Sequence, residues 1–292
     1  MQTTTPHIIS NIRLNDDPTP RHYTAEICTL TKQGEKKTYT AVVQEFQLLY
    51  AGTQGEFRYY QMNIKDRFYL NERYNIIQKL NKAQKLGLTI AKINDRLEFA
   101  TNLHFKFIKI TNPQTIRDTW QTVRPEILEM HPDLNTMAAN FDQQLKDENI
   151  QQLYENDNFF NFFFADIFQQ KIKEGEELET NKIVSDAVER IAIPIIEKRK
   201  IAVSDENDEA VITVNLSAEM DIEHPKFLLQ ELTTFLGKLP ATPGSQQALR
   251  LKYSGVYQVD SDKGIIMQGS LNYTFSIGEF YEKTTIINYT VA

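Results

Sequence analysis

Residues 159 to 164 read FFNFFF, which places five phenylalanines in six positions, and Phe168 follows one helical turn later. On a helix drawn through residues 153–169, the apolar side chains cover an arc of about 180°, and Phe162 widens it by about 60°. A helix that packs on a single core needs an apolar stripe only a little wider than about 100°. We therefore expect this helix to be covered on two sides.

Exposure of these rings to water would destabilise the protein. Each buried Phe contributes about 1.5 to 3 kcal/mol relative to an exposed one, so several exposed rings would cost on the order of 10 kcal/mol. Three arrangements would cover the rings: packing between two sheets, contact with a partner protein or a second copy of this chain, or the lining of an apolar ligand cavity. We favour the first arrangement and leave the other two open.

Strand patterns lie on both sides of this segment. The runs HYTAEICTLT, KKTYTAVVQEFQLLY and EFRYYQMNI, separated by the turn-forming KQGEK and AGTQG, predict an N-terminal meander of three strands. The runs QQALRLKYSGVYQV, GIIMQGSLNYTFSI and EFYEKTTIINYTVA predict a second three-strand meander at the C-terminus, in which Gly255 and Gly269 indicate bulges or close backbone packing. PIIEKRKIAV and EAVITVNLSAEM predict a hairpin, and LTIAKI predicts a further strand before residues 96–110.

Helical patterns fill the intervals. Apolar spacing predicts a helix over residues 74–86 that ends at Gly87, and a second helix in NKIVSDAVERIA that Pro194 ends. Residues 112–173 have a helical composition, with a start signal at Asn112–Pro113.

These elements predict an α+β fold of two antiparallel β-rich lobes, with a helical middle segment packed between or against them. The expected boundaries are a β-rich N-terminal lobe at 1–111 with one helix, a helical segment at 112–174, and an α+β C-terminal lobe at 175–292 that ends in the three-strand meander. The sequence leaves open whether the two lobes are separate domains or share one core.

The charge and the cysteine content exclude several classes of protein. The formal net charge of −7 disfavours nucleic-acid binding. A basic cluster of Arg73, Lys79, Lys82, Lys85 and Lys92 is interpreted as the solvated face of the helix at 74–86. Cys28 is the only cysteine, so a disulfide within the chain and a Cys-rich zinc site are excluded. No apolar stretch resembles a signal peptide or a membrane span, and we expect a cytoplasmic protein without membrane association.

No local motif predicts catalysis. No two of the five histidines fall within four residues of each other, and neither a nucleophile elbow nor a phosphate-binding glycine loop occurs. Residues 260–264, DSDKG, fit a hairpin turn better than a calcium loop, and the acidic run at 205–209 fits a solvated hairpin tip. Asp166 borders the phenylalanine arc, where burial would raise its pKa. We therefore predict no catalytic, cofactor-binding or metal-binding residues and no cofactor.

The sequence favours a non-enzymatic protein-binding module, such as a subunit of a larger assembly or an inhibitor or immunity-like protein. Its expected partner is another protein or a second copy of this chain. The alternatives are a carrier or receptor for a small apolar ligand held between sheet and phenylalanine helix, and a hydrolase without a local signature. Aromatic side chains offer large contact area at low entropic cost. The candidate contact residues are Phe159, Phe160, Phe162, Phe163, Phe164, Phe168, Tyr253, Tyr257 and Tyr273.

Overall fold

The computed structural model describes residues 8–9, 12–169, 172–173, 176–204, 211–227, 229–237 and 249–292. Within these residues the chain forms an antiparallel sheet of eleven strands, a separate two-stranded ladder and several helices.

The strands are β1 Ile8–Ile9, β2 Arg21–Gln33, β3 Lys36–Gln54, β4 Phe57–Leu70, β5 Arg96–Asn102, β6 Phe107–Ile110, β7 Ile172–Lys173, β8 Glu177–Val188, β9 Ile191–Ser204, β10 Val211–Met220, β11 Leu249–Asp260, β12 Ile265–Ile277 and β13 Tyr281–Val291. The α-helices are α1 Lys82–Ala91, α2 Pro113–Met130, α3 Asn135–Gln144, α4 Asp147–Glu155, α5 Asn158–Phe163 and α6 Leu229–Leu236. Short 3₁₀ turns lie at Lys92–Asn94 and Pro132–Leu134.

The large sheet has the strand order β6-β5-β4-β3-β2-β13-β12-β11-β10-β9-β8. Both meanders therefore belong to one sheet, because the last strand of the chain, β13, pairs with the first strand of the N-terminal meander, β2. The prediction of β-rich composition and antiparallel meanders is confirmed, whereas the prediction of two separate sheets is wrong. Local sequence patterns do not show which strands pair when the two strands lie far apart in the sequence, so the pairing of β2 with β13 could not be predicted.

The chain divides into two compact units. Unit 1 comprises residues 1–15, 26–41 and 167–290, and unit 2 comprises residues 16–25, 42–166 and 291–292. Strands β2 and β3 contribute residues to both units.

The core of unit 2 is built from aromatic rings. Phe163 is 1% exposed, and its ring centroid lies 5.4 Å from that of Tyr23 on β2 and 5.6 Å from that of Phe46 on β3. Phe164 lies 5.0 Å from Phe99 on β5 by the same measure. The phenylalanine segment therefore packs on strands of its own unit, so its predicted position between two sheets is wrong.

The phenylalanine segment is also less helical than predicted. Helix α4 ends at Glu155, and a new helix begins at Asn158, because the carboxylate of Asp157 accepts a hydrogen bond from the Phe160 N–H (2.9 Å) and caps α5. Burial raises the pKa of Asp157. The helix ends at Phe163, so the expectation of one helix over residues 153–169 is wrong.

The helix predicted at residues 74–86 is displaced. Residues 71–80 are irregular, α1 begins at Lys82, and the predicted strand LTIAKI lies largely within α1. Asn81 and Gln84 form a reciprocal capping box that fixes the true start. Gly87 lies inside this helix and does not end it. A Cβ at this position would be 2.5 Å from the Tyr69 hydroxyl oxygen. Close packing against Tyr69, not chain reversal, favours glycine at this position.

The helix predicted in NKIVSDAVERIA is wrong, since these residues form most of β8 and the turn after it. The register between β8 and β9 shifts between Val184 and Val188, and Asp186 adopts a φ of +52° in that bulge. The bulge buries Val184, Ala187 and Val188 together. Val184 and Ala187 are three residues apart, and Val184 and Val188 are four apart. Apolar residues on one face of a helix have the same spacing, which explains the wrong prediction.

Unit 1 has one buried sheet face. Leu216, Gly255, Leu271 and Ile287 are successive cross-strand partners on β10 to β13. A Cβ on Gly255 would lie 3.0 Å from Leu216 Cδ1, and a Cβ on Gly269 would lie 2.5 Å from the ring of Tyr289. The predicted close packing at both glycines is confirmed.

Replacing Phe163 with Ala should lower the free energy of unfolding by about 3 to 5 kcal/mol, because the cavity would lie among rings that cannot all collapse into it. Urea denaturation followed by fluorescence and circular dichroism measures the loss. The control Ile222→Ala changes a side chain that is 67% exposed and should shift stability by no more than about 0.5 kcal/mol. Equal stability of Phe163→Ala and wild type would contradict this account of the core.

Candidate functional site

Unit 1 carries a groove of about 720 Å³ between helix α6 and the turn that joins β8 to β9. Its walls come from two chain segments about forty residues apart. The lining residues are Glu189, Arg190, Ile191, Gln230, Glu231, Thr234 and Phe235.

Helix α6 supplies one wall through its amphipathic pattern. Leu232 and Phe235 are buried, and the Phe235 ring meets the Tyr281 ring edge to face with centroids 5.3 Å apart. This contact turns Glu231 and Thr234 toward the groove, where both are exposed. The Thr234 hydroxyl donates to the carbonyl of Gln230 (2.8 Å).

The β8–β9 turn supplies the opposite wall. Glu189 and Arg190 are the two residues between the paired positions Val188 and Ile191. Glu189 has a φ of +52°, a conformation that two-residue hairpin loops usually assign to glycine. The strained turn is held in place, since the Glu189 N–H donates to the Tyr281 hydroxyl (2.9 Å).

Two further contacts brace this turn. The Lys283 ammonium donates to the carbonyl oxygen of Asp186, and the amide of Gln33 donates to the Glu189 carboxylate (3.4 Å). Burial lowers the pKa of Lys283 and raises that of Tyr281. Strand β13 thus fixes both walls of the groove, through Tyr281 and Lys283.

The groove combines apolar and charged surface. Phe235 and Ile191 provide the apolar part, while the carboxylates of Glu189 and Glu231 face one guanidinium, that of Arg190. The formal charge of the lining residues is therefore −1. Such a surface is suited to a molecule with an apolar part and a cationic or neutral polar group.

A second polar arrangement in unit 1 is a charge cluster on the buried sheet face. Glu197 is 0% exposed, and its Oε1 lies 2.9 Å from Lys182 Nζ and 2.9 Å from Arg199 Nε. The Tyr253 hydroxyl donates to Glu197 Oε2. Burial acts to raise the pKa of Glu197, but the two cations and the hydrogen bonds outweigh it and lower that pKa to about 2. The same burial, with the adjacent carboxylate, raises the pKa of Tyr253.

The sequence contains a signal for this cluster that is not a local motif. Along β9, Glu197 and Arg199 occupy the same alternating phase as the buried residues Ile193, Ile195 and Ile201. A carboxylate and a guanidinium in the apolar phase of a strand indicate a buried ion pair.

The structure buries the predicted contact residues. All six phenylalanines, together with Tyr257 and Tyr273, are buried, and Tyr253 is half-buried. Phe159 to Phe164 lie in unit 2, whereas Phe168 and the three tyrosines lie in unit 1. Tyr253 and Tyr273 are cross-strand partners with stacked rings 6.0 Å apart, beside the Glu197 cluster. Their role in contacting a ligand or partner stays a prediction.

Other predicted features have plainer structural roles. In the DSDKG segment, the Asp260 carboxylate accepts from the Lys263 N–H (2.8 Å) and Gly264 has a φ of +61°, as in the expected hairpin turn. The acidic run at 205–209 lies outside the described residues. Asp166 is half-buried, with a φ of +48°. Across the described ranges, no three His, Cys, Asp or Glu side chains group as metal ligands do.

No known family model matches this chain, and no curated protein matches it either. Among solved structures, it is similar to lipovitellin, described for its lipid–protein interactions, with 9% identity, 95% of this chain covered and a TM-score of 0.46. The match spans 25% of the lipovitellin chain. It is also similar to Rv2717c from M. tuberculosis (7% identity; 92% and 91% of the two chains; TM-score 0.23).

A third similar structure is a putative outer membrane lipoprotein-sorting protein domain from Vibrio parahaemolyticus, with 8% identity, coverage of 92% and 85% of the two chains, and a TM-score of 0.17. Within the described part of the chain, no helix has the length and apolarity needed to cross a membrane.

Replacing Glu197 with Gln should destabilise the protein at pH 7 by about 3 to 5 kcal/mol, because two buried cations lose their counter-charge. Since the pKa of Glu197 is lowered to about 2 in the folded protein, its contribution is complete above the unfolded-state value of 4.5 and is lost as the pH falls toward 2. The stability gap between wild type and variant should therefore narrow from pH 5 to pH 2.

Urea denaturation at pH 7, 5, 3.5 and 2.5 measures this gap. Glu219→Gln is the matched control, because the Glu219 side chain is 61% exposed while it pairs with Lys198. Its effect should stay below about 1 kcal/mol at every pH. A gap of constant size over this range would show that the Glu197 charge does not stabilise the fold.

Proposed function

We propose that this protein binds a small amphipathic molecule in the groove between α6 and the β8–β9 turn. The observation that carries the proposal is the groove itself, about 720 Å³ in volume. Ligand sites are concave, about 300 to 1,000 Å³ in volume, and lined by apolar groups with a few convergent polar ones. Phe235 and Ile191 are the apolar groups here, and Glu189, Arg190 and Glu231 are the charged ones.

The polar part of the ligand is best matched by a cation. Glu189 on the turn and Glu231 on α6 approach the groove from opposite walls, and Arg190 offsets only one of the two carboxylates. An amine would reach either carboxylate while its alkyl chain covers Phe235. A fatty carboxylate of the same length would meet two like charges and one opposite charge.

The walls of the groove are held in place before a ligand arrives. Tyr281 contacts both, through its ring at Phe235 and through its hydroxyl at the Glu189 N–H. Preorganised sites lose less conformational entropy on binding. This bracing supports a binding role for the groove better than a role as an accidental surface depression.

The sequence-based alternative placed an apolar ligand between the sheet and the phenylalanine helix. The rings of that helix are in contact with rings of their own unit, as Phe163 is with Tyr23 and Phe46. We therefore place the ligand in the groove of unit 1. The other two hypotheses, a protein partner and a hydrolase without a local signature, stay predictions.

Isothermal titration calorimetry with octylamine and octanoate, each below its micelle concentration, tests the proposal. Octylamine should bind saturably at one equivalent and more tightly than octanoate. Thr234→Trp should weaken octylamine binding at least tenfold, because the indole fills the groove. Thr233→Trp is the matched control, since Thr233 is exposed on the same helix but does not line the groove, and it should bind as wild type does.

Glu231→Gln tests the charge preference separately. The preference for octylamine over octanoate should fall by as much as about fivefold, the effect of one exposed charge pair. Octylamine binding that Thr234→Trp leaves unchanged would remove the groove as the site. Equal affinity for octylamine and octanoate would contradict the proposed preference for a cationic ligand, but it would not contradict the groove as the binding site.

A further inference from the structure

The segment between β4 and α1 presents large apolar side chains to solvent. Residues 71–80, termed the 71–80 loop, lie in unit 2 and carry Tyr74, which is 63% exposed, and Ile76, which is 51% exposed. An aromatic and an aliphatic side chain two residues apart in an exposed loop form a small apolar prominence.

The 71–80 loop is ordered by its own hydrogen bonds. The side-chain oxygen of Asn71 accepts from the N–H groups of Arg73 (2.9 Å) and Asn75 (3.1 Å). The Asn71 N–H donates to the Asn75 carbonyl (2.9 Å), and the Ile77 N–H donates to the Tyr69 carbonyl (2.9 Å). The apolar side chains are therefore displayed by a structured turn.

Backbone strain accompanies this display. Tyr74 has a φ of +60°, in the left-handed region where a bulky residue is unusual. Glycine or asparagine would fit the same turn with less strain. A tyrosine that is 63% exposed gains little packing energy to offset this strain.

Positive charge lies close to this prominence in the sequence. Arg73, Lys79, Lys82 and Lys85 are all exposed, and none of the four forms an ion pair within the described residues. Glu72 is the only acidic residue from position 72 to 85, so this stretch has a formal charge of +3 in a chain whose net charge is −7.

This charge works against local helix stability. Lys82 and Lys85 lie in the first turn of α1, where the helix dipole favours acidic side chains, and that turn contains none. The interpretation of the basic residues as one solvated helix face is also wrong, because Arg73 and Lys79 precede the helix and Lys92, beyond it, pairs with Glu126 (3.4 Å). The four exposed cations are therefore available for contact with an anionic partner.

We propose that the 71–80 loop and the first turn of α1 dock this protein on an anionic lipid bilayer. Tyr74 and Ile76 insert at the level of the headgroups, and Arg73, Lys79, Lys82 and Lys85 contact anionic lipids around them. Tyrosine is enriched at membrane interfaces, and basic side chains near an anionic surface each strengthen binding.

A lipid surface fits these residues better than a macromolecule does. Protein interfaces are depleted in lysine, and three of the four cations here are lysines. Nucleic-acid backbones would match the cations but offer no apolar environment for Ile76. A bilayer interface accepts both, and it needs no shape complementarity to a protruding loop. This surface is in unit 2, so the proposal does not depend on the groove of unit 1.

Co-sedimentation of the full chain with vesicles tests this surface. Binding to phosphatidylcholine vesicles containing 30% phosphatidylserine should exceed binding to pure phosphatidylcholine vesicles and should weaken as salt is raised. Lys79→Gln, Lys82→Gln and Lys85→Gln combined should lower the partition coefficient on the order of 100-fold, at about fivefold for each lysine. Tyr74→Asn with Ile76→Ser should also weaken binding, and asparagine keeps the left-handed turn.

Matched controls separate this surface from general charge. Lys36→Gln, Lys37→Gln and Lys106→Gln remove the same charge from exposed positions elsewhere, and Ile222→Ser removes an exposed apolar side chain. Both controls should bind vesicles nearly as wild type does. Thermal unfolding followed by circular dichroism shows whether each variant keeps the wild-type fold, and a variant that unfolds is replaced by the corresponding single substitutions.

Three results would overturn the proposal. The first is equal, weak binding to anionic and neutral vesicles. The second is an equal loss of binding in the test and control lysine variants, which would indicate non-specific electrostatics. The third is retention by DNA or by an acidic polypeptide without binding to vesicles, which would assign the surface to a different class of partner.

Discussion

Strand β13 is the element on which the rest of the structure depends. It pairs with β12 on one side and β2 on the other, so without it the sheet would have two open edges in its middle. The same strand carries Tyr289, whose ring covers Gly269, and Tyr281 and Lys283, which brace the proposed ligand groove. The C-terminal strand thus holds both the sheet and the site, and a substitution that loosens it should affect the two together.

Sequence patterns correctly predicted the elements that depend on interactions between residues close together in the chain. The two meanders and the helix start at Asn112–Pro113 follow from alternation and from proline geometry, and the structure has them. The burial of FFNFFF follows from the cost of exposing several rings. The pairing of β2 with β13 could not be predicted, because nothing in either strand specifies a partner more than two hundred residues away. Where local reading failed, a specific contact decided the outcome, as with Gly87 against Tyr69 and the bulge at Asp186.

The candidate sites were less accessible to sequence reasoning than the fold. The groove unites Glu189 with Glu231, and no motif links a hairpin turn to a helix forty residues later. The Glu197 cluster did have a signal, since Glu197 and Arg199 share the strand phase of Ile195 and Ile201. This signal is a charge in the apolar phase of a strand, which differs from the local spacings that mark catalytic residues.

Residues with positive φ in this structure include glycines in tight turns, a residue with a buried side chain, and residues with exposed side chains. Tight turns that need only a reversal use glycine, as at Gly34, Gly55, Gly264 and Gly278. Phe105 accepts the strained conformation, and its buried ring lies 5.2 Å from that of Phe164 in the core. Tyr74, Asp186 and Glu189 accept it too, although all three side chains are exposed. Strain at an exposed position persists only if the rest of the structure imposes it. Hydrogen bonds do so here, from the Tyr74 N–H to the Asn71 carbonyl, from the Lys283 ammonium to the Asp186 carbonyl and from the Glu189 N–H to the Tyr281 hydroxyl. Of these three exposed residues, Tyr74 and Glu189 belong to the two surfaces that we propose as binding sites.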